Sequence, residues 1–182
     1  YSDDNERALA RVVETIRAAA PIKLAIQLGH AGRKASSHAP WDGGKLVPAG
    51  QGGWQPVAPS AVPHAEGEPA PRAFALDELP RLLEAFADSA RRAARLGFDA
   101  IELHCAHGYL LHQFLSPVSN RRDDAYGGSL ANRMRFPLEA FDAVRAAFPA
   151  DRPVGVRVSA TDWLEGSVPE SWTVESTVEF GQ

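Results

Sequence analysis

The chain has 182 residues, 45% hydrophobic and 23% charged, with 15 Gly, 14 Pro and a formal net charge of −4. A chain of this length and composition buries about 70% of its unfolded surface, which excludes a disordered tail or a fibre and makes one domain the default count. The negative balance argues against nucleic acid or an anionic membrane as partner, no apolar run nears the ~18 residues of a membrane span, and YSDDNERALA lacks a signal-peptide order.

The elements follow in chain order. Asp4 or Asn5 is placed to cap a first helix running to about Ala20, with Leu9, Val12, Val13 and Ile16 on one face and Pro21 as its stop. IKLAIQL (22–28) is short, apolar and strand-like. Residues 40–71 then hold seven of the 14 Pro and six of the 15 Gly, with Trp41 and Trp54. That is too long for an ordinary connection and reads as a functional excursion or lid, its tryptophans packing the loop. Asp77 opens a helix carrying Leu79, Leu82, Leu83, Phe86, Ala90 and Ala93 at helical spacing up to Gly97. FDAIELHC (98–105) is the second strand, and Ser129 caps a helix through Val144 that Pro137 should kink or truly begin. PVGVRVSA (153–160) is the third strand, and a last helix begins near Thr173. The only methionine is Met134, the chain opens mid-phrase at Tyr1 and it closes on a helix getting under way. A piece of a longer protein is the expectation.

Strands alternating with helices specify βα units and a parallel sheet. The long loops all follow strands, the side on which a β/α barrel builds its active face. The expected architecture is therefore α/β, a partial (β/α)8 barrel of three strands with their helices, forming a single partial domain over 1–182 with 31–73 as a capping excursion. Each strand has one polar face, unlike the unbroken apolar runs of a doubly covered sheet. Lys23, Ala25 and Gln27 oppose Ile22, Leu24, Ile26 and Leu28. Glu102 and His104 oppose Ile101, Leu103 and Cys105, and Arg157 and Ser159 oppose Val154, Val156 and Val158. With Ile26, Leu103 and Val156 under helices, Gln27, His104 and Arg157 would line the interior near the strand ends. The structural alternative pairs Arg157 with Glu102.

His104 and His107 are followed by Gly108 and Tyr109. Zinc held with Cys105 and His112 is one reading, but alternation turns Cys105 away from His104 and neither C-x-x-C nor H-E-x-x-H is present, so no metal is assigned. Two imidazoles and a phenol at a barrel mouth suit donors to a polarised oxygen, with the phenol as proton source. Gly29 and Gly32 form no phosphate-binding fingerprint, and the charged loop 116–133 reads as a solvated turn. Arg33 and Lys34 are either surface bases or partners of an anionic group. The lone Cys105 excludes an internal disulfide and fits a reducing, cytoplasmic setting.

QLGHAGRKAS (27–36), ELHCAHGYLLHQFLSPVSNRRDDAYGGSLANRMRFPLE (102–139) and VRVSATDW (156–163) resemble the Old Yellow Enzyme family of FMN-dependent ene-reductases. The His104/His107 pair together with QLGHAGRK is similar to its bacterial thermophilic-like branch, which includes xenobiotic reductases. The resemblance implies a (β/α)8 barrel with FMN, reduced by NADPH or NADH, that passes hydride to the β-carbon of an activated alkene such as an enone or nitro compound. By the same resemblance Gln27 hydrogen-bonds the flavin ring, Arg157 lies by the edge where negative charge builds on reduction, and Lys34 is a basic residue near the site, counted with the cofactor contacts. His104 and His107 hold the substrate's carbonyl or nitro oxygen, and Tyr109 donates the proton to the α-carbon. Family members are often oligomers, so a homo-oligomer is expected of the complete protein.

A whole barrel of this type has eight strands in about 250 residues. Three strands are legible here, numbered third to fifth by the resemblance. The family's N-terminal segment, with its flavin-tuning cysteine and a second substrate-facing tyrosine, and the last strands, whose loops hold the FMN phosphate, have no counterpart in the sequence. Cys105 belongs to another strand and does not substitute. The 182-residue chain alone is thus expected to be inactive. Two other readings stand beside the first: a 2,4-dienoyl-CoA reductase-type member, some of which carry an iron–sulfur cluster, and a non-catalytic partial barrel that needs a complementary chain.

Overall fold

In the computed structural model, which describes residues 2–168 and 171–182, α1 (Asp3–Ala19) leads into β1 (Ala25–Leu28). Tyr1 lies outside the described residues. Ser2, rather than Asp4 or Asn5, caps α1, its hydroxyl accepting the Asn5 N–H at 3.2 Å. The cap moves outward because Asp3 and Asp4 already have helical backbone, where their carboxylates suit the helix's positive end. Of the expected apolar face only Val13 is fully buried.

After β1 come three 3-10 turns (Gly32–Lys34, Pro40–Asp42, Ala49–Gln51) and a two-residue parallel pair, β2 (Val57–Ala58) with β3 (Arg72–Ala73). Next are α2 (Leu79–Arg95), β4 (Ala100–Cys105), α3 (Leu110–Leu115), α4 (Leu130–Ala147), β5 (Val154–Val158) and α5 (Val174–Phe180). Asp77 does not cap α2. A 3-10 turn over Leu76–Glu78 runs straight into the helix and occupies the capping position. Ser129 does cap α4, accepting the Asn132 N–H at 3.3 Å, and Pro137 neither starts nor ends that helix but sits inside it. Thr173 caps α5 by accepting from Ser176. Among the described residues no helix is long and apolar enough to cross a membrane.

The chain divides into two compact units. One takes in the residues up to Leu28, Asp77–Leu103 and Glu139–Arg157; the other takes in Gly29–Leu76, His104–Leu138 and Val158–Gln182. The first holds a three-stranded sheet of order β1–β4–β5, with β1 parallel to β4 in the register Ala25↔Ala100, Ile26↔Ile101, Gln27↔Glu102 and Leu28↔Leu103. Its core is Leu28, Ile101 and Leu103 from the sheet with Phe86, Ala87, Ala90 and Ala93 from α2. The strands are shorter than the sequence suggests. Residues 22–24 precede the ladder, and the Leu24 N–H goes to the Asp99 carboxylate at 3.0 Å instead of to a strand. Val156 departs from the expected cover, being 37% exposed on β5, an outer strand of the sheet none of whose residues is fully buried.

The second unit packs around α3. All six residues of α3 are buried, His112 and Gln113 included, so the helix shows no amphipathic period and is absent from the sequence reading. Phe114 stacks on Phe136 at 4.4 Å, Tyr126 meets Phe136 edge-on, and Trp172 is fully buried.

Candidate active site

The chain leaves β4 through Ala106–Tyr109 and enters α3. His107 (φ 58°) and Gly108 (φ 68°) are both left-handed. Glycine takes that conformation without cost, but a histidine does so only where its surroundings fix it. Here each backbone polar group of the pair meets a side chain. The His107 N–H donates to Ser159 Oγ (2.9 Å), and the His107 carbonyl accepts from Lys34 Nζ (2.7 Å). The Gly108 N–H donates to His112 Nδ1 (2.8 Å), and its carbonyl accepts from Gln113 Nε2 (2.7 Å). The ties come from three separated stretches of chain. They bring the His104 ring to 5.1 Å from both His107 and Tyr109, edge-on to each, and leave Lys34 Nζ 5.7 Å from the Tyr109 ring centre. His104 is buried, Tyr109 half-buried and His107 exposed.

A second layer supports this turn. Gln113, fully buried, also reaches the Ala31 carbonyl at 3.2 Å and accepts the Arg33 N–H. It fits against Gly32 because a Cβ there would stand 2.3 Å from its Oε1. His112 Nδ1 accepts a hydrogen bond and therefore carries no proton, which assigns the proton to Nε2, 3.2 Å from Asp162 Oδ1. Asp162 Oδ2 accepts from Ser116 Oγ (2.6 Å) and the Trp172 N–H (3.2 Å). Burial pushes the Asp162 carboxyl up, but the hydrogen bonds from His112 and Ser116 more than offset it and hold it below the ordinary carboxylate value.

Burial, with Arg33 adding repulsion, lowers Lys34 from the ordinary lysine value, and burial likewise lowers Arg33. No carboxylate pairs with either cation among the described residues. Burial pushes the Cys105 thiol up to about 12, and with His112 committed to Gly108 and Asp162 neither of the further zinc ligands weighed in the sequence faces His104 as a donor set.

Gln27 and Arg157 belong to the first unit. Gln27 and Glu102 are register partners and share a face, and Gln27 Nε2 donates to Glu102 Oε1 at 2.6 Å. The structural pairing foreseen for Glu102 thus goes to Gln27, not Arg157. The Arg157 side chain is exposed, with no hydrogen bond or ion pair among the described residues. Sequence reasoning put Ser159 on the polar face of its strand without a role, and missed His112 as a turn-holding residue, Gln113, Ser116 and Asp162. The signal for His112, Gln113 and Ser116 was polarity inside a run that buries completely.

The sequence model of the NADH:flavin oxidoreductase / NADH oxidase family matches residues 1–176. An NADH:flavin oxidoreductase of Gibberella zeae is 52% identical over 170 residues, covering 88% of this chain and 41% of that protein. An NADPH dehydrogenase of Clostridium acetobutylicum is 42% identical over 167 residues, 92% of this chain and 45% of its own length. Among solved structures, the Old Yellow Enzyme homologue of Zymomonas mobilis aligns with a TM-score of 0.75 at 31% identity over 100% of this chain and 51% of its own. A morphinone reductase in complex with tetrahydroNAD aligns with a TM-score of 0.70 at 39% identity over 87% and 44%. The chain spans about half the length of the relatives it matches.

Proposed function

Since the chain belongs to the NADH:flavin oxidoreductase / NADH oxidase family, we propose that it supplies strands three to five and the capping excursion (31–73) of an FMN-dependent barrel enzyme that reduces activated C=C bonds with NADPH or NADH. The observation that carries the reading is the clustering of His104, His107 and Tyr109 about a turn whose four backbone polar groups are all tied by side chains.

The residues assigned to the cofactor suit a flavin ring. Arg157, with no hydrogen bond or ion pair among the described residues, offers donors to a carbonyl edge, and Gln27, one of whose two amide N–H groups goes to Glu102, keeps its carbonyl oxygen as acceptor for a ring N–H. When bound, FMN supplies the hydride chemistry that no side chain can. The protein's own part is polar. His104 and His107 hydrogen-bond the carbonyl or nitro oxygen of the substrate and draw electron density from the alkene. Tyr109 gives its phenolic proton to the α-carbon, and the nearby Lys34 ammonium favours the charge left on the phenol oxygen. The same reading gives the complete enzyme a small-molecule substrate, a homo-oligomeric state and a cytoplasmic location.

The test is phenol binding to the complete FMN enzyme, read as a long-wavelength charge-transfer band. Replacing both His104 and His107 by Ala is expected to weaken binding by about 3–6 kcal/mol at most, since each hydrogen bond to a charged group contributes about 1.5–3 kcal/mol. Unchanged affinity would overturn the assignment. The 182-residue chain by itself is expected neither to retain FMN nor to reduce alkenes. Its outer strands β1 and β5 each leave an edge unpaired, and hydrogen bonds of about 1 kcal/mol each from Gln27 and Arg157 do not offset the cost of association. After mixing with FMN and desalting, a stoichiometric flavin spectrum bleached by NADPH would refute this.

A further inference from the structure

We infer that His112 is a positioning residue for this site. As the neutral Nε2–H tautomer it holds the Gly108 N–H, and through it the left-handed turn that presents the His107 imidazole and the Tyr109 phenol. The inference rests on the proposed role of His107 and Tyr109 in binding substrate.

Of the four ties on the turn, the His112 tie alone depends on a tautomer. Lysine, glutamine and serine keep the same donors and acceptors throughout the neutral range, whereas an imidazole accepts at Nδ1 only while its proton sits on Nε2. Asp162 favours that choice by charge, its carboxylate facing Nε2 without a well-aligned hydrogen bond. Its Oδ1 lies 3.2 Å from Nε2, while Oδ2 is occupied by Ser116 Oγ at 2.6 Å and the Trp172 N–H at 3.2 Å, so the carboxylate itself is held in place. His112 and Asp162 side chains are 8% and 9% exposed, so water does not cheaply replace the bond from Gly108 or screen the contact between the two. The series runs from Ser116 and Trp172 through Asp162 and His112 to the Gly108 N–H, and then to the residues on either side of it. His112 touches neither the proposed substrate oxygen nor the flavin; it acts by aiming residues that do.

A purely structural histidine would fill the same volume, and the two roles separate by the atom each requires. In His112→Asn the amide oxygen falls near the Nδ1 position and can still accept the Gly108 N–H, but the contact with Asp162 is lost. In His112→Gln the amide nitrogen reaches the Nε2 position and can still donate to Asp162, but the acceptor for Gly108 is lost. Both variants, together with His104→Ala/His107→Ala, are made in the complete FMN enzyme. They are titrated with 4-hydroxybenzaldehyde, and hydrogen exchange over residues 106–111 is followed by mass spectrometry.

If His112 positions the turn, His112→Gln weakens phenol binding about 10-fold or more and speeds exchange over 106–111, while His112→Asn stays within about 3-fold of wild type in both. The reverse order, or wild-type behaviour of both variants, overturns the inference. Should the double His→Ala variant bind phenol normally, it is the substrate-binding reading that fails, and the exchange data still decide whether His112 holds the turn. If neither His112 variant folds, side-chain 15N spectra of the wild-type holoenzyme decide. Unprotonated Nδ1 with a through-hydrogen-bond coupling to the Gly108 amide sustains the inference, and an Nδ1–H tautomer ends it.

Discussion

In the first unit, charge is settled at the surface. Glu6 takes Arg92 at 2.5 Å and Arg95 at 2.8 Å, and Asp99 takes Arg17 at 3.0 Å and Lys23 at 2.9 Å. In the second unit Asp162 is enclosed by His112, a hydroxyl and a backbone N–H, and the half-buried Arg33 and Lys34 have no carboxylate partner among the described residues. Water backs the first kind of contact and softens its loss. Water reaches the second far less, so its geometry is more exacting, and four side-chain ties from this region hold the left-handed His107–Gly108 turn at its edge. The difference separates charge that keeps a surface soluble from polarity that aims side chains.

The largest effect that would sharpen this contrast is chemical. If Tyr109 is the proton donor, Tyr109→Phe in the complete enzyme slows flavin reoxidation by an enone about 10²–10⁴-fold and leaves reduction by NADPH nearly intact. Stopped-flow measurement of the two half-reactions separates the cases, because equal slowing of both would mark Tyr109 as a packing residue of the turn. No substitution among the surface ion pairs of the first unit should approach this effect on either half-reaction.

Much of this was legible in the sequence where a periodicity or a capping rule applied. The alternation of β4 put Ile101, Leu103 and Cys105 on the covered face, and all three are buried. Ser129 and Thr173 cap the helices assigned to them. The short spacing from His104 to Tyr109 is enough to gather three rings on one turn. The inner network was not legible. Asp162 stands far along the chain from His112, and the histidine's own context suggested only a weak metal ligand. α3, buried on every side, offers no period to read. Val156 shows the opposite limit: its pattern is that of a covered strand, but burial depends on what packs outside, which a strand's own residues do not state.

The next effect is on stability. Asp162→Asn leaves either the His112 Nε2–H or the Ser116 hydroxyl without its charged acceptor, a loss of about 2–3 kcal/mol from the chemical denaturation of the complete enzyme. Because the folded Asp162 carboxyl lies below its ordinary value, its contribution is fully present above the unfolded carboxylate pKa and is lost as pH falls through the lower, folded one. Wild type should therefore lose stability across that acid interval more steeply than Asp162→Asn, and their curves should converge at the acid end. Parallel curves would mean that the carboxylate is not the anchor of the inner network.

The smallest effect belongs to Glu6, and it tests the contrast from the other side. The hydrogen bond from Arg95, aided by Arg92 and opposed by burial, brings the Glu6 carboxyl from 4.5 to about 2. By linkage its contribution is present at neutral pH and fades as pH falls from about 4.5 towards about 2. The shift alone suggests a strong interaction, yet the pair stands at the surface, with Arg95 56% exposed, where water and salt recover most of what is lost when it breaks. Glu6→Gln should thus move the denaturation midpoint at pH 7 far less than Asp162→Asn does. That small shift should shrink further in ~0.5 M NaCl, where the screening length falls to roughly 4 Å. The Asp162→Asn deficit, sheltered from solvent, should keep its size in the same salt. Equal costs for the two substitutions, or equal salt sensitivity, would show that burial is not what distinguishes the two regions.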